Sequence, residues 1–261
     1  MDLSVAVYDL AGGGEWTSGE DRTYVTASIV KVAVLAALLL RARDSGRWLT
    51  AGEERLAEAM IERSDNEAAT ALRAAAGGVA GLDAAHARLG MTRTSAAPAW
   101  GLTRTTARDQ LTLLKAVFAG ADQARSAVAG SAEPGVADSA EPGVADSAEP
   151  GVLDAKSGVL DSGVLDVGSG VLDARSRRYL AGLMRRVVPG QDWGVSAAAA
   201  DGDWALKNGW LPRSDSGLWV VHSVGRVRNC LVAVLSDGHT AKEAGIARVE
   251  EAAVSAVRRF A

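Results

Sequence analysis

The sequence is poor in everything that would cross-link it, seat it in lipid or hold it on nucleic acid. A single cysteine, Cys230, excludes an internal disulfide and any thiolate metal cluster. It lies in NCLVAVL, which reads as a buried strand, so an inert core thiol is expected. The most apolar run, Ile29–Leu40, spans twelve residues, short of the ~18–20 that a membrane span needs. The opening MDLSVAVYDL has no basic region followed by an apolar run and a cleavage site, so the given chain reads as lacking a secretory signal, and the compartment stays open. The formal net charge is −4 and Lys and Arg are scattered without a basic stripe, so nucleic acid is not an expected partner. His86, His222 and His239 are far apart and show no metal-ligand spacing. Surface or hydrogen-bonded histidines are expected there, with no metal and no cofactor.

What is present fits a full hydrophobic core: 261 residues suffice for one large domain or two interleaved lobes. Leu3–Leu10 reads as a strand, Ala11–Gly14 as a turn and Glu15–Tyr24 as the hairpin partner. From Ser28 the period turns helical and ends near Arg41–Gly46. Glu53–Glu62 and Asn66–Ala76 read as further helices, the latter preceded by the capping residues Ser64 and Asp65. Gly81–Gly90 and Ala107–Phe118 continue the helical section, and Ala174–Arg186 is amphipathic. Asp203–Trp210, Gly217–Arg226 and Asn229–Asp237 read as three consecutive strands, and Lys242–Phe260 as a closing helix. Strands at both ends with helices between predict an α+β fold, in which one antiparallel sheet from both chain ends is covered by helices and joined by an all-helical lobe. The expected division is a sheet lobe of 1–48 and 174–261, a helical lobe of 49–119, and an insertion over 120–173.

That insertion has its own composition. SAEPGVAD occurs twice from Ser131, then SAEPGVLD, decaying into GVLD units that end at Asp161, Asp166 and Asp173. Nine acidic residues stand against one lysine in Ser131–Asp173, so the rest of the chain is net positive and the acidity belongs to the repeats. Short, irregular units without paired glycines and aspartates argue against a calcium repeat and for a solvated, largely disordered excursion.

The chemistry begins with TASIVKVAVLAALLL. Ser28 stands at a helix start, where backbone amides are unpaired and the dipole is positive. Lys31 lies one turn on, on the same side. Apolar surroundings penalise its ammonium, which makes a neutral amine accessible beside a hydroxyl, the means by which a serine nucleophile is activated. A core lysine snorkelling to water is the plain alternative for such a common spacing. Ser64-Asp65-Asn66 at a helix junction reads by itself as an N-cap, and Lys207-Asn208-Gly209 on WALKNGWLP as an edge-strand lysine.

Taken together, in this order and on these element types, S-x-x-K, S-D-N and K-N-G resemble the penicillin-recognising serine hydrolases: class A β-lactamases and the related DD-peptidases and penicillin-binding proteins. ERSDNEAATALRAAAG, AAHARLGMTRT and TTARDQLTLL extend the likeness over most of the chain outside the insertion. The resemblance implies Ser28 as the acylated nucleophile, Lys31 as its general base or proton relay, and Ser64 as the group passing a proton to the leaving nitrogen. It implies that Asn66, Lys207, Asn208, Gly209 and Trp210 bind substrate: Asn66 a side-chain amide, Lys207 a carboxylate, and the strand around it the substrate backbone. The Trp210 N–H would complete an oxyanion hole with that of Ser28. Trp100 and Trp210 fall at the implied rim.

Three features depart from that pattern. Met91–Arg108, where the β-lactamases keep the glutamate and asparagine that hold a deacylating water, contains no Asp, Glu, Asn or Gln. Asn208 stands where the family has Thr or Ser. The chain opens on the first strand rather than on the family's helix, which predicts an exposed sheet face. The expected function is therefore an acyl-serine hydrolase with slow deacylation, taking a small-molecule or peptide substrate of β-lactam or D-Ala type and working as a monomer. A true class A-like β-lactamase and a non-catalytic binding domain are the alternatives.

Overall fold

The computed structural model describes residues 1–19, 22–119, 170–199 and 201–260. Five strands build the main sheet: β1 (Asp2–Asp9), β2 (Glu15–Ser18), β5 (Trp204–Pro212), β6 (Trp219–Val227) and β7 (Cys230–His239). Their order is β2-β1-β7-β6-β5, every neighbour antiparallel, so the chain's first strand pairs with its last. The two-residue strands β3 (Tyr24–Val25) and β4 (Arg104–Thr105) pair separately. The α+β class and the sheet assembled from both chain ends are as the sequence predicts.

Alternation along β1 and β7 explains how the sheet is covered on both faces. Val5, Val7, Val232 and Val234 pack on one face with Val249, Ala253 and Ala256 of helix α7 (Lys242–Val257). Ala6, Leu231, Ala233 and Leu235 point the other way, into the cluster built around helix α1 (Val30–Asp44). A strand buried on both faces reads as a continuous apolar run, which is why β7 shows no polar alternation. The free Cys230 is buried there.

Helix α1 is buried on nearly every side, from Val30 to Leu40. Around it stand α2 (Ala51–Glu62), α3 (Asn66–Ala75), α4 (Gly78–Arg88), α5 (Ala107–Phe118) and α6 (Ala174–Met184). Local capping accounts for where three of them start. Thr50 and Glu53 form a reciprocal capping box on α2, Asp65 accepts from Ala68 N on α3 (2.7 Å), and Thr106 accepts from Asp109 N on α5 (3.1 Å).

Several expectations are corrected. The second strand stops at Ser18 because Gly19 turns with φ +65°, its α-carbon so close to Leu3 O that a Cβ would sit 2.7 Å from it; Tyr24 and Val25 leave the sheet to pair with β4. Ser64 is not a helix cap but holds φ 58°, and Asp65 alone caps α3. The exposed sheet face is not found. Among the described residues the exposed large apolar side chains are Met1, Leu56 and Leu102, while Trp16 of β2 is half-buried beneath the Arg259 guanidinium at 4.0 Å. The insertion expected over 120–173 lies, up to residue 169, outside the described residues. No helix among the described residues is long and apolar enough to cross a membrane.

Candidate active site

Three separate elements bring the candidate residues near one another. Ser28 sits in a 3-10 turn, Ala27–Ile29, that feeds directly into α1 and carries Lys31 one turn later. Ser64 and Asn66 come from the junction of α2 and α3, and Lys207 from β5. Ala27 (φ 45°) and Ser64 (φ 58°) are two of the three non-glycine residues with positive φ among the described residues. Such conformations cost roughly 1–3 kcal/mol each and persist where surrounding packing enforces them.

The hydrogen bonds converge on Ser64. The Lys31 ammonium donates to Ser64 O (2.6 Å), Ser64 Oγ (3.2 Å) and Asn66 Oδ1 (2.8 Å). The Lys207 ammonium donates to the same Ser64 Oγ (3.0 Å) and to Asn208 O (2.9 Å). With its oxygen accepting from two lysines, the Ser64 hydroxyl keeps its own proton free to donate elsewhere. The Ser28 hydroxyl makes no hydrogen bond among the described residues, so it and Lys31, three residues apart in the chain, have no direct bond.

Burial sets the protonation states. Loss of water lowers the Lys31 pKa from a lysine's ordinary 10.5 to about 8, with the Asp65 carboxylate partly opposing the fall. Lys207 is fully buried and held well below the ordinary value, first by burial and then by the charge of Lys31. Two lysines with weakened hold on their protons therefore meet at one hydroxyl.

The strand approaches the serine through Gly209. A Cβ there would lie 2.8 Å from Ser28 N and 2.9 Å from Ile29 N, so only glycine lets β5 come this close. Asn208 behaves otherwise than a substrate ligand. It is buried, and its amide donates to Gln191 O (2.9 Å) and Trp193 O (2.7 Å), fixing the loop behind the strand rather than facing the cleft. Trp210 does reach it: a cleft of about 320 Å³ is lined by Ser28, Asn66, Trp100, Leu102, Trp210 and Leu211, among others.

Two contributors were missed from the sequence. His222 faces Gly209 across the β5–β6 pairing, accepts from Ser236 N at Nδ1 (3.1 Å) and so donates from Nε2 to Val25 O (2.8 Å), tying the sheet to the segment that leads into Ser28. Burial drops its pKa to about 4, so it stays neutral. Leu102, half exposed, forms part of the cleft wall. Nothing in the local sequence marks either one. His239 is buried and bonded to Ser236 Oγ (2.9 Å), while His86 is buried with no hydrogen bond. No group of three or more metal-ligating side chains occurs among the described residues.

Sheet order and helix arrangement define a fold that recurs among solved β-lactamase-type structures. The model of the beta-lactamase enzyme family matches residues 49–129. The fold is shared with PBP-A at 18% identity and a TM-score of 0.69, covering 99% of this chain and 89% of that one. A point mutant of PBP-A, solved as an acyl-enzyme complex with penicillin G, is similar at 19% identity and the same TM-score, covering 99% and 90%. The putative class A β-lactamase PenP from Rhodopseudomonas palustris follows at 18% identity and a TM-score of 0.67, covering 98% of this chain and 93% of that one. No curated protein sequence matches. The chain thus shares the fold of PBP-A and the class A β-lactamases, and its residues 49–129 match the beta-lactamase enzyme family.

Proposed function

We propose that the protein is an active-site serine hydrolase that acylates at Ser28 and releases the acyl group slowly. The observation that carries this reading is the meeting of Lys31 and Lys207 at the Ser64 hydroxyl, with Asn66, bonded to Lys31, lining the same cleft as Ser28. In the proposed course, Ser28 Oγ attacks an amide or lactam carbonyl carbon as its proton passes to the neutral Lys31 amine. The backbone N–H groups of Ser28 and Trp210 receive the oxyanion. The C–N bond then breaks as Ser64 gives its proton to the leaving nitrogen and is reprotonated from Lys31. Lys207 holds Ser64 in place and attracts a substrate carboxylate, and Asn66 binds a side-chain amide. Asn208 contributes through the loop it fixes, and Gly209 through the close approach it permits.

Slow deacylation is supported by the wall opposite. The segment Met91–Arg108 has no Asp, Glu, Asn or Gln, and Trp100 and Leu102 line the cleft in their place. PBP-A's recorded complex with penicillin G makes a β-lactam the first substrate to try. Intact-protein mass should show one penicillin G adduct that persists for many minutes in the parent and never forms in Ser28→Ala. An equal adduct in Ser28→Ala would end the proposal. Multiple turnovers per second on a chromogenic cephalosporin would instead favour a true β-lactamase in which Lys31 or Ser64 activates the water.

A further inference from the structure

We infer that Trp100 keeps hydrolytic water away from the Lys31 amine and thereby sets the lifetime of the Ser28 acyl-enzyme, an inference that rests on the acyl-serine reading above. Trp100 begins a 3-10 turn, Trp100–Leu102, and lines the same cleft as Ser28. Its indole lies over Lys31, with Nζ 5.0 Å from the ring centroid. As an ammonium, Lys31 has its three donors spent on Ser64 and Asn66; once neutral it gains a lone pair, and the ring lies over that nitrogen.

The ring is fixed, not loosely laid. Its Nε1–H donates to Thr70 Oγ1 (3.1 Å), and the Thr70 hydroxyl donates in turn to Asn66 O (3.0 Å) on α3. Behind it, Thr26 N donates to Thr103 O (2.8 Å), which seats the Trp100 segment against the strand entering Ser28. With its only polar hydrogen committed to Thr70, the indole offers the cleft nothing but carbon. It can neither hold a water by hydrogen bond nor accept a proton from one.

Deacylation needs water to add to the ester carbonyl carbon, a group to take the water's proton, and the C–O bond to Ser28 to break as Oγ regains a proton. Lys31 is the amine in reach whose pKa suits that proton. A ring that excludes water from this amine therefore slows the second half of the reaction and leaves the first, in which Ser28 itself supplies the proton, untouched. Trp100 is on this account a positioning residue.

The test is a series at one site, Trp100→Phe, Trp100→Leu and Trp100→Ala, in the full chain. Acylation by penicillin G and loss of the adduct are followed separately by intact mass. The Phe variant should keep an adduct lifetime near the parent's, while Leu and Ala shorten it by roughly tenfold or more as the covering ring is lost. In the same two variants the midpoint of the pH dependence of adduct loss should move upward, because admitted water relieves the burial that lowers the Lys31 pKa; a purely structural role for Trp100 would not move it. The Leu variant gives the reading if Ala does not fold. Equal lifetimes across parent, Phe and Leu would overturn the inference while leaving acyl-serine chemistry standing. A parent that forms no adduct would instead bring down the acyl-serine reading itself.

Discussion

Lys31 is buried on a helix that is otherwise apolar from Val30 to Leu40, and its partners are a carbonyl, a hydroxyl and an amide oxygen, with no carboxylate among them. Its folded pKa of about 8 lies below the ordinary 10.5, so between those values the folded chain binds fewer protons than the unfolded one. Stability accordingly rises with pH across that window, by about 3 kcal/mol for this single group. Thermal unfolding between pH 7.5 and 10 should show the parent gaining on Lys31→Met as the pH increases; parallel curves would contradict the account. On the proposed course, the same group should make acylation pH-dependent with the same sign. Below about pH 8 the amine is protonated and cannot take the Ser28 proton, so the rate of penicillin adduct formation should climb towards a plateau above that value. A flat rate from pH 6 to 9 would remove Lys31 as the base.

Strand β5 and the turn before α1 meet through Gly209, and their separation is what the glycine decides. Gly209→Ala should force them apart, costing about 1–3 kcal/mol of overpacking strain and most of the acylation rate. Calorimetry and penicillin labelling together check this, and a variant that labels at the parental rate would show the approach to be dispensable. How far these elements could be read in advance follows from how local their causes are. The β7 run, the Thr50 capping box and the helical period of α5 each sit within a dozen residues, so their signals are complete in the sequence. The early end of β2 depends on Gly19 meeting Leu3, and the buried bond from His222 to Val25 spans 197 positions; no window contains either. That Lys31, Ser64 and Lys207 meet could be anticipated because their side chains stand out from their surroundings. That the Asn208 amide turns to the loop could not, because a strand position tells which residue is present but not which way its amide is spent.

Helix α1 joins both halves of the chain: its residues share one apolar cluster with the sheet through Ala6, Leu231 and Leu235, and with the helical section through Met60, Leu72 and Leu82. A fold with so much in common at its centre should unfold as a unit. Leu38→Ala, at a fully buried position in α1, should lower stability by about 2–5 kcal/mol within one cooperative transition. Two separated transitions by far-UV and near-UV circular dichroism would mean that the halves hold independently. Lys31, the proposed base, is one of the side chains of this same helix, whereas Trp100 and Leu102 lie on a separate three-residue turn. On the proposed reading, mutational drift is channelled unequally: a lineage could reshape which molecules enter and how long they stay by altering a surface turn, while the proton chemistry beneath would be kept by the same selection that keeps the protein folded.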